Sequence, residues 1–295
     1  MSNDHYVPQS FLRAWSFDPG KNRVYRYKRI KERNKVVFEA NASIRSSASS
    51  QDLYSISDGA EQASFEDTIM ARALDDPIAK VVTKFREKSL KELSDEDRDQ
   101  LGRLILTLEA RNPATIEKMN LSEADLDRVI AKATVNASST ARAEATTLLK
   151  NMRESTGTWA AGAYASWGYG QDLQALKRKR WTEVCTDGEE RPFVTSNYPT
   201  LLGATVPYEE EKHISSLAIS PTKALLIASA LFFHEFKELE VRIKCRYINL
   251  LTIAGASEAY TDQPVRDPWI ECHLGWAERT ERGKQGEYFN SALYE

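Results

Sequence analysis

His5-Tyr6-Val7-Pro8-Gln9-Ser10-Phe11-Leu12-Arg13-Ala14-Trp15 sets a polar side chain at every fourth residue, His5, Gln9 and Arg13, with apolar ones filling the gaps. So near an N-terminus the stretch would fray unless something holds it. The rest of the chain must therefore offer a surface to Phe11, Leu12 and Trp15. Pro8 disfavours helical geometry at Val7 and serves best as a first helical residue, which leaves His5 in an extended lead-in. A helical turn from there puts residues four apart on one face.

Working outward, residues 23–27 alternate basic with aromatic or apolar side chains, and Val36-Val37-Phe38 answers them across a polar connection. That is the pattern of a two-strand hairpin. Residues 52–56 read as a third strand, and the Ser- and Ala-rich residues 43–50 as a loop before it. The middle of the chain is helical. Phe65, Ile69 and Ala73 share a face of a helix starting near Glu61, and Asp75-Asp76-Pro77 breaks it before a helix carrying Ile78, Val81, Val82 and Phe85. Ser94 and Asp97 form a capping box for a helix through Leu101, Leu104, Ile105 and Leu108 that stops near Asn112-Pro113. Ser122 caps a further helical stretch that reaches Leu149, and an aromatic, Gly-rich segment follows over residues 159–169. Residues 181–185, 193–196, 214–220 and 224–228 are short β-prone runs bounded by turn residues, as in an antiparallel sheet. Leu239, Ile243, Tyr247, Leu250 and Leu251 predict a helix from residue 235 to about 260.

Strands, helices, strands and helix in that order predict an α+β fold, a mainly antiparallel sheet with a central helical layer in a single domain. Its parts are an N-terminal β-hairpin region (1–58), a helical region (60–178) and a sheet with a closing helix (180–295). The 295 residues are 41% hydrophobic, enough for a sizeable core. With 40 basic and 43 acidic residues the net charge is -3, so nothing global draws the chain to nucleic acid or an anionic membrane. Cys185, Cys245 and Cys272 are dispersed, with no zinc-ligand spacing, and fit a reducing cytoplasm. The longest apolar run, residues 224–233, is about half a bilayer span. The 13 glycines form no phosphate loop, so ATP or NAD chemistry has no support, and His234-Glu235 lacks the second His of a zincin helix.

The opening HYVPQSFLRAW resembles the start of the family called domain of unknown function 4238 (DUF4238), found mostly in bacteria. Further matching features follow in order: Asp52-Leu53-Tyr54-Ser55, Glu109-Ala110-Arg111-Asn112-Pro113, Phe193-Val194-Thr195-Ser196, residues 217–221 and Asn249. The resemblance spans nearly the whole chain. At one point the chain departs from it. The family segment resembles Thr-Ser-Asp-Asn-Pro, whereas this chain reads Thr195-Ser196-Asn197-Tyr198-Pro199, so an amide replaces a carboxylate. Family members resemble stand-alone proteins often found among bacterial defence and mobile-element genes.

Several groups are candidates for chemistry. His5 titrates near neutrality and Glu109 is a carboxylate at a helix end; either could activate water as a catalytic residue. Gln9, Arg13 and Arg111 could orient and neutralise a phosphate, and Ser196 and Asn197 could hold substrate at a strand end. Against that stands a structural reading, in which His5 and Gln9 pin the N-terminal segment and Ser196 makes a turn. Arg23, Arg26, Lys28 and Arg29 flank Tyr25 and Tyr27 as a nucleic-acid-binding strip, or as a solvated sheet edge. The expectation is a cytoplasmic effector with hydrolase or nuclease activity on a phosphate-containing substrate, a divalent metal remaining open as cofactor. The alternative is a non-catalytic module that binds or senses a ligand or nucleic acid, with a partner protein or second copy left open and no membrane association.

Overall fold

The computed structural model describes residues 3–18, 20–51, 76–113, 169–186, 191–200, 214–281 and 284–294. The strand expected at 52–56, the helices expected from Glu61 and Ser122, and the aromatic stretch from Trp159 fall outside them.

The N-terminal portion runs β1 (Asn3–His5), α1 (Gln9–Leu12), β2 (Arg23–Ile30), β3 (Lys35–Ser43) and β4 (Ser49–Gln51). The alternation in β2 and β3 yields the antiparallel hairpin, with Tyr27 opposite Phe38 and Arg26 opposite Glu39. Pro8 stands one position earlier than its helical preference predicts, as the extended residue before α1, and its carbonyl accepts from Phe11 and Leu12 at 3.0 and 3.2 Å. Residues 43–50 are not a loop. A 3-10 turn over Ile44–Ser46 leads into β4, which pairs with β1 so that His5 faces Ser49. This segment lacks a period because local bonds shape it, among them Ser47 Oγ donating to the Ser43 carbonyl at 2.8 Å.

Among the described residues the helical layer comprises α2 (Asp76–Glu87), α3 (Asp95–Ala110) and α4 (Tyr169–Arg178). The capping box forms as read: Asp97 N–H donates to Ser94 Oγ at 3.2 Å and Ser94 N–H to the Asp97 carboxylate at 2.9 Å. Gly102 lets α3 approach α4, since a Cβ there would lie 2.5 Å from Leu173 Cδ1. The Asp97 carboxylate also takes Lys84 Nζ, and these bonds hold it at about 2, below the ordinary 3.8. A depressed carboxyl stabilises the fold above its unfolded pKa and loses that contribution as pH falls through the folded one. Melting temperature should therefore decline between about pH 4 and 2. Asp97→Asn should flatten that slope; an unaltered slope would assign the acid sensitivity elsewhere.

The remainder comprises β5 (Arg180–Cys185), β6 (Thr195–Ser196), β7 (Ser215–Ser220), β8 (Lys223–Ala228), α5 (Ala230–Lys237), α6 (Val241–Ile253), β9 (Glu258–Thr261), α7 (Pro268–His273), α8 (Trp276–Arg279) and α9 (Gln285–Tyr294). The single helix expected over 235–260 is thus corrected to two helices and a strand. Glu238 ends α5 and Glu240 precedes α6, and the three-to-four spacing stops at Leu251. Glu258-Ala259-Tyr260-Thr261 instead alternates, with Tyr260 and Ala259 buried on opposite sides of a sheet.

The fold is α+β. Among the described residues all strand pairs are antiparallel, in a β1-β4 pair, a β3-β2-β9-β6 sheet and a β5-β8-β7 sheet. Because β9 adds to β2, the hairpin shares its sheet with strands from the far end of the chain. That sheet divides the interior. One core holds Trp15, Val24, Tyr260, the helical layer and the β5-β8-β7 sheet; the other holds Tyr27, Ala259, Leu250, Trp269 and Trp276. Among the described residues no helix is long and apolar enough to cross a membrane.

Candidate functional site

The motif at the N-terminus is held by backbone and buried polar groups. His5 Nε2–H donates to the Arg45 carbonyl at 3.0 Å, and Tyr6 N–H donates to the Ala48 carbonyl at 3.2 Å. Ala48 adopts a left-handed backbone, φ 46, uncommon for a residue with a Cβ, and its own N–H donates to Tyr260 Oη at 2.9 Å. Tyr260 in turn donates to the Glu258 carboxylate at 2.6 Å. Burial, then the Glu258 charge, lifts the Tyr260 phenol far above its ordinary value, and burial likewise raises Tyr6. Both phenols stay protonated and act here as hydrogen-bonding struts.

Asn197 joins this network from the other side. Its Oδ1 accepts from Ser257 N–H at 3.0 Å and Glu258 N–H at 2.9 Å, and its Nδ2 donates to Ser257 Oγ at 3.0 Å and Tyr6 Oη at 3.5 Å. Ser196 Oγ donates to the Thr252 carbonyl at 2.7 Å while accepting from Tyr198 N–H at 3.0 Å. Its hydroxyl is committed on both sides. Asn249 accepts from Val194 N–H and donates to the Pro192 carbonyl, each at 3.0 Å, and Trp15 Nε1 reaches the Phe193 carbonyl at 2.9 Å. Arg86 ties α1 to β7 through the Phe11 and Ile219 carbonyls, at 3.0 and 2.9 Å. Burial lowers its guanidinium to about 10, still charged at neutral pH.

The structure therefore brings Ser196 and Asn197 to the neighbourhood of Tyr6, one residue from His5. Gln9 opens α1, half-buried, and Arg13 follows it in an exposed position. Glu109 and Arg111 close α3, which packs with α2 and α4; Arg111 is buried. Among the described residues no group of three or more His, Cys, Asp or Glu side chains is placed to hold a metal ion.

The basic strip is largely neutralised. Arg26 pairs with Glu39 at 2.6 Å and Glu258 at 3.6 Å, Lys28 with Glu258 at 3.5 Å, and Arg29 with Glu278 at 3.1 Å. Arg23 donates to the Asn41 carbonyl at 3.4 Å.

Where the end of the hairpin meets α7 and α8, a cavity of about 380 Å³ opens. Arg29 and Lys35 line it from the hairpin, and Arg266, Glu271, Cys272 and Arg279 from the C-terminal side. Gly275 makes that junction possible. It sits at φ 70, its N–H donates to the Ile253 carbonyl at 2.8 Å, and any Cβ there would lie 2.5 Å from Arg29 Nη1. Four cations thus face one carboxylate, Glu271, which Arg266 already clasps through two nitrogens. Adding the groups directly behind the wall, Glu278 and its second partner Lys31 at 3.1 Å, leaves the excess at three positive charges. In a net acidic chain that local concentration selects for an anion.

Sequence reasoning named Arg29 in the basic strip but missed Arg266, Glu271 and Arg279. Asp267-Pro268 was the available signal. Asp267 Oδ1 accepts from Trp269 N–H at 2.9 Å and Pro268 opens α7, a helix start that would have placed Arg266 just before it and Glu271 in its first turn.

Fold and geometry thus define an α+β protein braced through its N-terminal motif, with a basic cavity between hairpin and C-terminal helices. The chain belongs to the family described as Protein of unknown function (DUF4238), whose model matches residues 3–259. Arg29 and Lys35 lie inside that match, and Arg266, Glu271 and Arg279 beyond it. No curated protein and no solved structure matches the chain.

Proposed function

We propose that this protein binds a phosphate-containing ligand in the cavity between the hairpin and α7–α8, and serves as a sensing module in a reducing cytoplasm. The observation that carries the reading is the convergence of Arg29, Lys35, Arg266 and Arg279 on a space with a single carboxylate among the described residues. Guanidinium forks and an ammonium are the groups that pair with phosphate oxygens. A binding role is favoured over hydrolysis, because the cavity's carboxylate is held by Arg266 and the candidate base His5 is engaged with a backbone carbonyl. The HYVPQ motif then supports the sheet from which the cavity is built.

The test is a calorimetric titration with pyrophosphate at low and at physiological salt. Wild type should bind, more weakly as salt rises. Lys35→Glu combined with Arg266→Gln removes three units of positive charge from exposed positions. Affinity should fall at least roughly tenfold, with melting close to wild type. Equal affinity in the double variant would remove the cavity from consideration.

A further inference from the structure

A second cavity, about 250 Å³, adjoins the first and shares Arg266 and Pro268 with it. Its character differs. Tyr27, Pro192, Val194, Val265 and Ile270 make its walls apolar, and Arg191, Gln263 and Asp267 supply a few polar groups. Apolar walls with a small number of placed polar atoms are what an organic ring system requires. Tyr27 and Arg29, which line the second and first cavities respectively, are two residues apart on β2. They therefore share a face at about 7 Å spacing. A group seated over Tyr27 would stand one sugar's reach from a phosphate over Arg29.

Arg191 adds an independent observation. Its guanidinium stacks over Trp269 at 4.9 Å and pairs through Nε with Asp267 at 3.2 Å. Its Nη1 is buried and finds no acceptor among the described residues. A buried donor left without a partner is costly. A ligand edge carrying a carbonyl or ring-nitrogen acceptor would satisfy it.

From these placements we infer that the two cavities form one bipartite site for a nucleotide, with the phosphates in the basic basin and the base in the Tyr27 slot. The inference rests on the phosphate reading of the first cavity and adds the base as a second determinant. Val265, 74% exposed on the slot's rim, is a position where a large side chain can block the slot without disturbing the core.

Two titrations decide it: GDP and pyrophosphate, each with wild type, Val265→Trp and Arg191→Gln. GDP should bind at least roughly tenfold tighter than pyrophosphate. Both variants should erase that gain while leaving pyrophosphate affinity unchanged. Equal GDP and pyrophosphate affinities in wild type would overturn the base subsite and leave the phosphate reading standing. A GDP advantage that survives both substitutions would place the base elsewhere and equally overturn it. Failure of GDP and pyrophosphate alike to bind would remove both readings.

Discussion

Trp15→Ala is expected to lower stability by about 3–5 kcal/mol, read as a shift in the urea unfolding midpoint. Trp15 has no exposed surface, packs on Phe11 with ring centroids 5.5 Å apart, and donates to the Phe193 carbonyl. Truncation removes apolar burial, opens a cavity between α1 and the residue 193–196 segment, and leaves a buried carbonyl unpaired. Trp15→Phe separates these effects. It restores much of the volume and should cost only about 1–3 kcal/mol, the penalty of the orphaned acceptor. A loss below about 1 kcal/mol for Trp15→Ala would mean that the N-terminal motif does not anchor the fold.

Asn197→Ala should cost about 2–4 kcal/mol, because one side chain accepts from two successive backbone N–H groups, Ser257 and Glu258, at the point where β9 begins. Asn197→Asp should recover most of this loss, since a carboxylate accepts the same two bonds and Ser257 Oγ can donate to it. That outcome would also account for the aspartate that the family resemblance implies at this position, as a backbone clip. If Asn197→Asp were no more stable than Asn197→Ala, the clip would depend on the amide's donors, to Tyr6 and Ser257, rather than on its acceptor.

The hairpin, the capped helix α3 and the β7-β8 pair were legible in sequence because each is a local pattern: alternation, a Ser-x-x-Asp cap, apolar runs between turn residues. Residues 43–50 and 258–261 were not. Ala48 owes its conformation to Tyr6 and Tyr260, which are remote in sequence, and β9 is a strand because β2 lies beside it. The candidate site divides in the same way. His5, Ser196 and Asn197 attract notice as polar residues amid apolar ones, and the structure assigns their side chains backbone partners. In the sequence the cavity cations stand far apart, and nothing local marks them as a group. Only the approach of the hairpin to α7 and α8, through Gly275, makes them a group.

A motif that braces and a cavity that binds respond differently to substitution, and pyrophosphate titration of two variants distinguishes them. At a temperature where both are folded, Asn197→Ala should bind like wild type despite its lowered melting point, whereas Lys35→Glu with Arg266→Gln should melt like wild type and bind at least roughly tenfold more weakly. The reverse pattern, with affinity lost in folded Asn197→Ala and retained in the charge variant, would put the ligand at the N-terminal network and contradict the account.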